Sequence, residues 1–140
     1  MAIKIAKQYI KNLSLKAPNS PEIFSKTQDK PDININIDLD AKKISDLAYE
    51  IILKLKTTAG ETGNLFEINL EYGGIFSFDK DKRIENIEET LLVECPKLLF
   101  PFARNIISNL TIDAGFSPLM IDPIDFSYLY KKRKESVTIN

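Results

Sequence analysis

The chain has 140 residues, with 19 Lys+Arg against 20 Asp+Glu, a formal net charge of −1 and no histidine. Its 44% apolar and 28% charged residues suit one globular domain, which at this size buries about two-thirds of its unfolded surface and needs no disulfide staples. The missing histidine excludes Ser–His–Asp and Cys–His nucleophiles and His metal ligands, and an acidic body over residues 1–130 argues against nucleic acid as the main partner.

The opening segment, MAIKIAKQYIKNLSL, mixes apolar and polar residues without a continuous apolar stretch, so it reads as a strand over 3–16 rather than a signal peptide. Its register is imperfect: Ile3, Ile5 and Tyr9 alternate with Lys4, Ala6, Gln8 and Ile10, and Leu13 and Leu15 follow. Residues 17–31 hold Pro18, Pro21 and Pro31 and little periodicity. A connection of that length is uncommon unless it has a task. Strict alternation then sets Ile33, Ile35, Ile37 and Leu39 on one face of a second strand, with Asn34, Asn36, Asp38 and Asp40 on the other.

From Ile44 a third strand is expected, with Leu47, Tyr49, Ile51, Leu53 and Leu55 on one face and Glu50, Lys54 and Lys56 on the other. Gly60 and Gly63 mark a hairpin loop into a fourth strand. There Phe66, Ile68, Leu70 and Tyr72 face inward and Glu67, Asn69 and Glu71 outward, and Gly73–Gly74 suggests a bulge or a close backbone approach.

From Arg83 the period lengthens. Ile84, Ile87, Leu91, Leu92 and Cys95 predict a short helix leading to Pro96. A long amphipathic helix follows, with Leu98, Leu99, Phe102, Ala103, Ile106, Ile107, Leu110 and Ala114 on its apolar face. Pro101 kinks it or begins it, and Gly115 sits where a left-handed cap would close it. Pro118 and Pro123 then break an apolar run before a last helix, N-capped by Asp125, that carries Phe126, Leu129 and Tyr130. The fold class is therefore α+β: a four-stranded antiparallel sheet followed by a short helix, a long helix and a C-terminal helix. One domain is expected over 1–130. Residues 131–140, opening with Lys131, Lys132, Arg133 and Lys134, are expected to be a solvated, mobile basic tail.

Little in the chain points to catalysis. Cys95 reads as a small buried side chain, and Asp122, Asp125, Glu88 and Glu89 as surface or capping acids. No apolar run is long enough to span a membrane, and the single cysteine is compatible with a reducing compartment. A cytoplasmic protein is expected, not an enzyme, with no cofactor and no metal.

Several blocks match one family in order. CPKLLFPFAR followed by GFSPLMIDPIDFSYLY resembles the pattern CPxLLFPxAR and GFPPLxLxPxxFxxLY of the SecB protein-export chaperones. YIKNLSLKAPNSPEIF and EYGGIFSF are similar to the family's upstream blocks, so the resemblance covers residues 7–131. It implies a SecB-like fold assembled as a homotetramer, a dimer of dimers with long helices packed between the dimers. It also implies an ATP-independent holdase that keeps precursor proteins unfolded and export-competent and passes them to the SecA motor of the translocase. A SecB-like chaperone with a narrower client, such as a toxin–antitoxin pair, is the alternative.

The resemblance implies a client groove between the long connection, the second strand and the last helix, with Phe24, Ile33, Ile35, Phe126, Leu129 and Tyr130 as candidates. Surplus apolar surface points to an oligomer interface at Phe66, Ile68, Leu70, Tyr72, Leu99, Phe102, Ile106 and Leu110. The SecA-facing sheet surface would hold Asn12, Lys16, Glu67, Asn69 and Glu71. The family's acids fall on Asn12, Lys16 and Asn69, none of which is acidic here, and its apolar position becomes Glu67. Motor binding is thus expected to be weaker or differently registered, and more salt-sensitive if Glu67 and Glu71 carry it.

Overall fold

The computed structural model describes residues 3–26, 31–79 and 86–137. Four antiparallel strands, β1 (Ile3–Lys16), β2 (Ile33–Ser45), β3 (Ala48–Ala59) and β4 (Phe66–Phe78), form one sheet in the order β1-β4-β3-β2. β1 and β2 are the two edges, so the connection between them carries the chain from one side of the sheet to the other. That journey accounts for its length.

The imperfect register of β1 has a structural cause. Its pairing with β4 slips between Ile5 and Lys7 and again between Ile10 and Asn12, leaving Ala6 and Lys11 as extra residues in two bulges. Each bulge resets the two-residue alternation. Ile3 and Ile5, then Gln8 and Ile10, then Leu13 and Leu15 thereby share one face with Phe78, Phe76, Gly74, Tyr72, Leu70 and Ile68. The bulges lie on β1 and not at Gly73–Gly74, where close approach is the operative reason for glycine. A Cβ on Gly73 would sit 2.7 Å from the Tyr9 ring, and one on Gly74 2.8 Å from Leu99 Cδ2.

The hairpin between β2 and β3 turns at Asp46 and Leu47, later than the alternation suggests. Ile44 belongs to β2, as the extra residue of a further bulge, and Leu47 lies in the turn. Cross-strand pairing of Lys42 with Glu50 and of Lys43 with Tyr49 extends β2 through a stretch without clean alternation. The glycine loop before β4 forms as expected, with Gly60 at φ 85° and Gly63 at φ 72° flanking a 3₁₀ turn at Glu61–Gly63.

Helical backbone runs without interruption from Ile87 to Asp113. It comprises one turn α1 (Ile87–Glu89), a π turn (Thr90–Glu94) and α2 (Cys95–Asp113). Asn86 caps it, its Oδ1 accepting from the Glu89 N–H at 3.2 Å. The expected break at Pro96 does not occur. In the π turn the Cys95 N–H reaches the Thr90 carbonyl, which puts the missing N–H of Pro96 at the seam between two hydrogen-bond ladders. Arg83 and Ile84, expected to open this helix, lie outside the described residues. At the far end Gly115, at φ 95°, closes α2. The Phe116 N–H reaches the Thr111 carbonyl and the Gly115 N–H that of Ile112, both at 3.0 Å, the two bonds of a Schellman motif.

The last helix, α3 (Phe126–Val137), is capped by Asp125, whose Oδ1 accepts from the Tyr128 N–H at 3.0 Å. It does not stop at Tyr130, and the basic run continues it as helix. Lys and Arg are good helix formers. Residues 138–140 lie outside the described residues.

One sheet face and α2 make the core. Ile51, Leu53, Leu55, Ile68, Leu70 and Phe76 from the central strands meet Leu99, Ala103 and Ile107 of α2, all essentially inaccessible. Each such aliphatic or aromatic side chain contributes about 1.5–3 kcal/mol by leaving water. The helix lies over β3 and β4, so the β1 edge is left uncovered.

Candidate functional site

An apolar groove of about 570 Å³ opens beside the β2 edge, lined by Phe24, Ile33, Leu65, Phe66, Phe116 and Leu119, with Pro31 and Lys26 at its margin. Its walls follow from local structure. Ile23 is buried and anchors the 3₁₀ turn Glu22–Ser25, so its neighbour Phe24 must project outward and remains 48% exposed. Asn19 Nδ2 donates to the Asn64 carbonyl at 2.9 Å, tying the long connection to the glycine loop. Opposite, the helix-capping turn delivers Phe116. The absent side chain of Gly115 makes room for the Phe24 ring, which lies 2.9 Å from where a Cβ would be. Phe24, Phe116 and Phe66 form a continuous row of rings, with centroids 5.3 and 5.1 Å apart. Thr111 Oγ1 accepts from the Leu119 N–H at 3.0 Å and donates to the Ser108 carbonyl at 2.8 Å, fixing the Leu119 wall to α2.

The six expected groove residues are spread along β2 rather than gathered. Phe24 and Ile33 line this groove. Leu129 and Tyr130 line a second hollow of about 220 Å³ with Ile37, Leu39, Leu92 and Arg133. Ile35 lies between the two on the same face of β2, half-buried. Phe126 is a core residue instead, 3% exposed and edge-on to Phe100 at 6.1 Å, because the first turn of α3 points inward at α2. Phe116 and Leu119 are groove residues that pattern reading passes over. Their signal is position, immediately after the glycine that ends the long helix.

The second surface is the sheet face away from the helices. Asn12, Lys16, Glu67, Asn69 and Glu71 all lie on it, where Asn12 pairs with Glu71, Ser14 with Asn69 and Lys16 with Glu67. Its centre is a shallow hollow of about 410 Å³ reaching across all four strands. Glu67 has a cation beside it, whereas Glu71 keeps its negative charge with a neutral amide as its partner. Lys56 Nζ pairs with Glu67 at 3.3 Å, and Asn12 Nδ2 donates to Glu71 at 3.3 Å. Lys54 is paired with Asp40 at 2.7 Å. The Asp40 carboxylate, by hydrogen bond and by charge, and then Glu71 and Asp38 hold Lys54 above the usual lysine range. At the other end of the face the Tyr9 hydroxyl donates to the Glu50 carboxylate, which Lys11 Nζ also meets at 3.2 Å. Burial first, and Glu50 next, push Tyr9 up to about 12, while the Tyr9 hydrogen bond above all holds Glu50 low.

Five of the expected oligomer residues are interior. Phe66, Ile68, Leu70, Tyr72 and Leu99 are buried within the chain's own core, because its own helix covers the apolar sheet face. Ile106 and Leu110 are half-buried. Phe102 is 50% exposed and stacks on Tyr72 at 6.5 Å, and Ile10, opposite Tyr72 across the strands, is 47% exposed. This patch lies at the uncovered β1 edge.

Cys95 is fully inaccessible, and burial, aided by the nearby Glu94, pushes its thiol up to about 12. It is no nucleophile at neutral pH. Among the described residues no group of three or more His, Cys, Asp or Glu could hold a metal ion. No helix among them is long and apolar enough to cross a membrane.

Comparison with known proteins agrees with this geometry. Residues 1–137 match the family model described as preprotein translocase subunit SecB. A protein-export protein SecB from Azorhizobium caulinodans is 41% identical over 133 residues, covering 94% of this chain and 82% of the relative. The namesake from Bartonella quintana is 44% identical over 127 residues, covering 90% and 80%. Among solved structures, a SecB-like chaperone of Mycobacterium tuberculosis, in complex with a peptide from an antitoxin, superposes with a TM-score of 0.70 over 88% of each chain. At 10% identity that likeness concerns the fold. With a family match over nearly its whole length and relatives above 40% identity, the chain belongs to the SecB family of protein-export chaperones.

Proposed function

We propose that the protein is an ATP-independent holdase of the cytoplasm. It keeps precursor proteins unfolded and export-competent and hands them to the SecA motor, without acting as an enzyme. The observation that carries this reading is the preformed row of Phe24, Phe116 and Phe66 in an open apolar groove. Such a surface takes extended apolar segments of many sequences with modest affinity at each site. Contacts summed over several grooves give the grip, which is why assembly matters. The exposed Ile10 and Phe102, on either side of the buried Tyr72 and beside the open β1 edge, form the proposed assembly surface of a homotetramer.

General export is favoured over a narrower client, because the relatives above 40% identity are named as export proteins whereas the antitoxin-bound neighbour shares 10%. The test is suppression of aggregation of a refolding substrate at stoichiometric ratios without nucleotide. Wild type should hold the substrate soluble, and Phe24→Asp/Phe116→Asp should release it while staying folded. A folded, assembled wild type that fails to suppress aggregation would reject the holdase reading.

A further inference from the structure

The last helix carries the chain's longest run of like charge. Lys131, Lys132, Arg133 and Lys134 are followed by one acid, Glu135, so residues 131–140 hold a net +3 while residues 1–130 hold −4. Helical structure through this run gives the charge a fixed place. Phe126 and Tyr130 are buried and anchor α3 to the body, whereas Ser127, Tyr128, Lys131, Lys132 and Arg133 are exposed. Spacing of three and four residues puts Tyr128, Lys131 and Lys132 together on the outward face. Tyr128 is 56% exposed, and Lys132 Nζ lies 5.5 Å from its ring centroid. Asp38 lines the hollow beside Arg133, and Glu88 and Glu89 precede the π turn on which α3 rests. Among the described residues, however, neither Lys131 nor Arg133 has a carboxylate partner.

We propose that the outward face of α3 docks the protein on an anionic membrane surface, with lipid headgroup phosphates meeting Lys131 and Lys132. The choice of a membrane rests on the export reading above, in which clients leave for a translocase. Shape argues the same way. The cations stand on a convex helix end, which meets a plane readily, whereas nucleic-acid sites are grooves or stripes with several stacking rings. Tyr128 adds an amphipathic ring of the kind that settles at a membrane–water interface. The apolar side of α3 is already buried against the body, so the contact is electrostatic and reversible rather than inserted. The carboxylates of Asp40, Glu50, Glu67 and Glu71 belong to the sheet face away from the helices, so α3 can approach such a surface with its cations leading.

Sedimentation of the full chain with vesicles of equal parts phosphatidylglycerol and phosphatidylcholine provides the test. Wild type should pellet with them and stay in solution with phosphatidylcholine alone. Lys131→Gln/Lys132→Gln should weaken the partition roughly twentyfold, about fivefold for each cation removed. Glu135→Gln, which removes the run's one acid, should strengthen it about fivefold, a gain that no folding defect can imitate. Raising NaCl from about 100 to 500 mM should release the protein. No binding to the anionic vesicles, equal pelleting with both lipids, or a partition unchanged by Lys131→Gln/Lys132→Gln would each overturn the proposal. Binding confined to an RNA oligomer, followed by fluorescence anisotropy, would also overturn it and assign the run to nucleic acid. Aggregation suppression without lipid should be the same in wild type and both variants. Its failure in wild type would count against the holdase reading and leave the vesicle result to be judged by itself.

Discussion

Two residues show how much one side chain, or its absence, decides here. Gly115 serves two ends at once: its φ of 95° closes α2, and its bare Cα accepts the Phe24 ring. Gly115→Ala should lower the unfolding free energy by about 1–2 kcal/mol, since alanine resists that backbone region. A further loss should come from the ring, and urea titration of Gly115→Ala alone and with Phe24→Ala would separate the two parts. Cys95 governs the alkaline limit. Its thiol is raised from 9.0 to about 12, so below pH 9 both folded and unfolded states keep the proton. Above pH 9 the unfolded chain loses it first, and stability should fall as pH rises towards about 12. Tyr9 adds the same sign only above its ordinary value of 10.0. Between pH 9 and 10 the slope should approach at most about 1.4 kcal/mol per unit and should flatten in Cys95→Ala. An unchanged slope would show that the thiol is not its source.

At the scale of elements, β1 is the informative case. Its two bulges convert a faulty alternation into one continuous apolar face, and Lys11 is the extra residue of the second. Inserting one alanine after Lys11 should turn residues 3–10 over relative to Leu13 and Leu15, putting Lys11 where Ile10 lies. Lys11→Ala keeps the residue count and loses only an exposed ion pair with Glu50, worth at most about 1 kcal/mol. The insertion should therefore abolish cooperative unfolding or cause aggregation while the substitution leaves a near-normal transition, as followed by circular dichroism. Comparable transitions for both would refute the bulge account. The helical segment teaches a related lesson. Prolines at Pro96 and Pro101 look like breaks in one dimension, yet the π turn before Pro96 lets the helix run on from Ile87.

For the whole molecule, the balance between covered and uncovered apolar surface sets the expectations for assembly. The chain's own α2 covers the middle of the sheet, so residues such as Ile68 and Leu99 are spent inside one subunit. Ile10 and Phe102 are left over, at a long edge strand that pairs with no strand on its outer side among the described residues. Ile10→Asp/Phe102→Asp should shift native mass spectra from tetramer towards smaller species, while thermal unfolding stays cooperative. A tetramer that survives both substitutions would place the interface elsewhere. The charge of the molecule tells a similar story. Sequence placed Glu67 and Glu71 on the outward face correctly, but their neighbours leave them engaged by Lys56 and Asn12.

Alone, the amino-acid pattern determined the four strands, the long amphipathic helix with its glycine cap, the last helix and the family. Each of these rests on periodicity or on motifs local in the chain, which residue order states directly. Tertiary structure decided which apolar residues are core and which are surface. It gathered the Phe24–Phe116–Phe66 row from three separate segments, and it moved Phe126 from groove to interior. It also decided which charges are paired, because Glu67 meets Lys56 only after strands distant in sequence are paired in register. The physical reason is common to all of these: burial and ion pairing depend on neighbours across the sheet, and a linear pattern specifies the face of a residue without specifying what covers it.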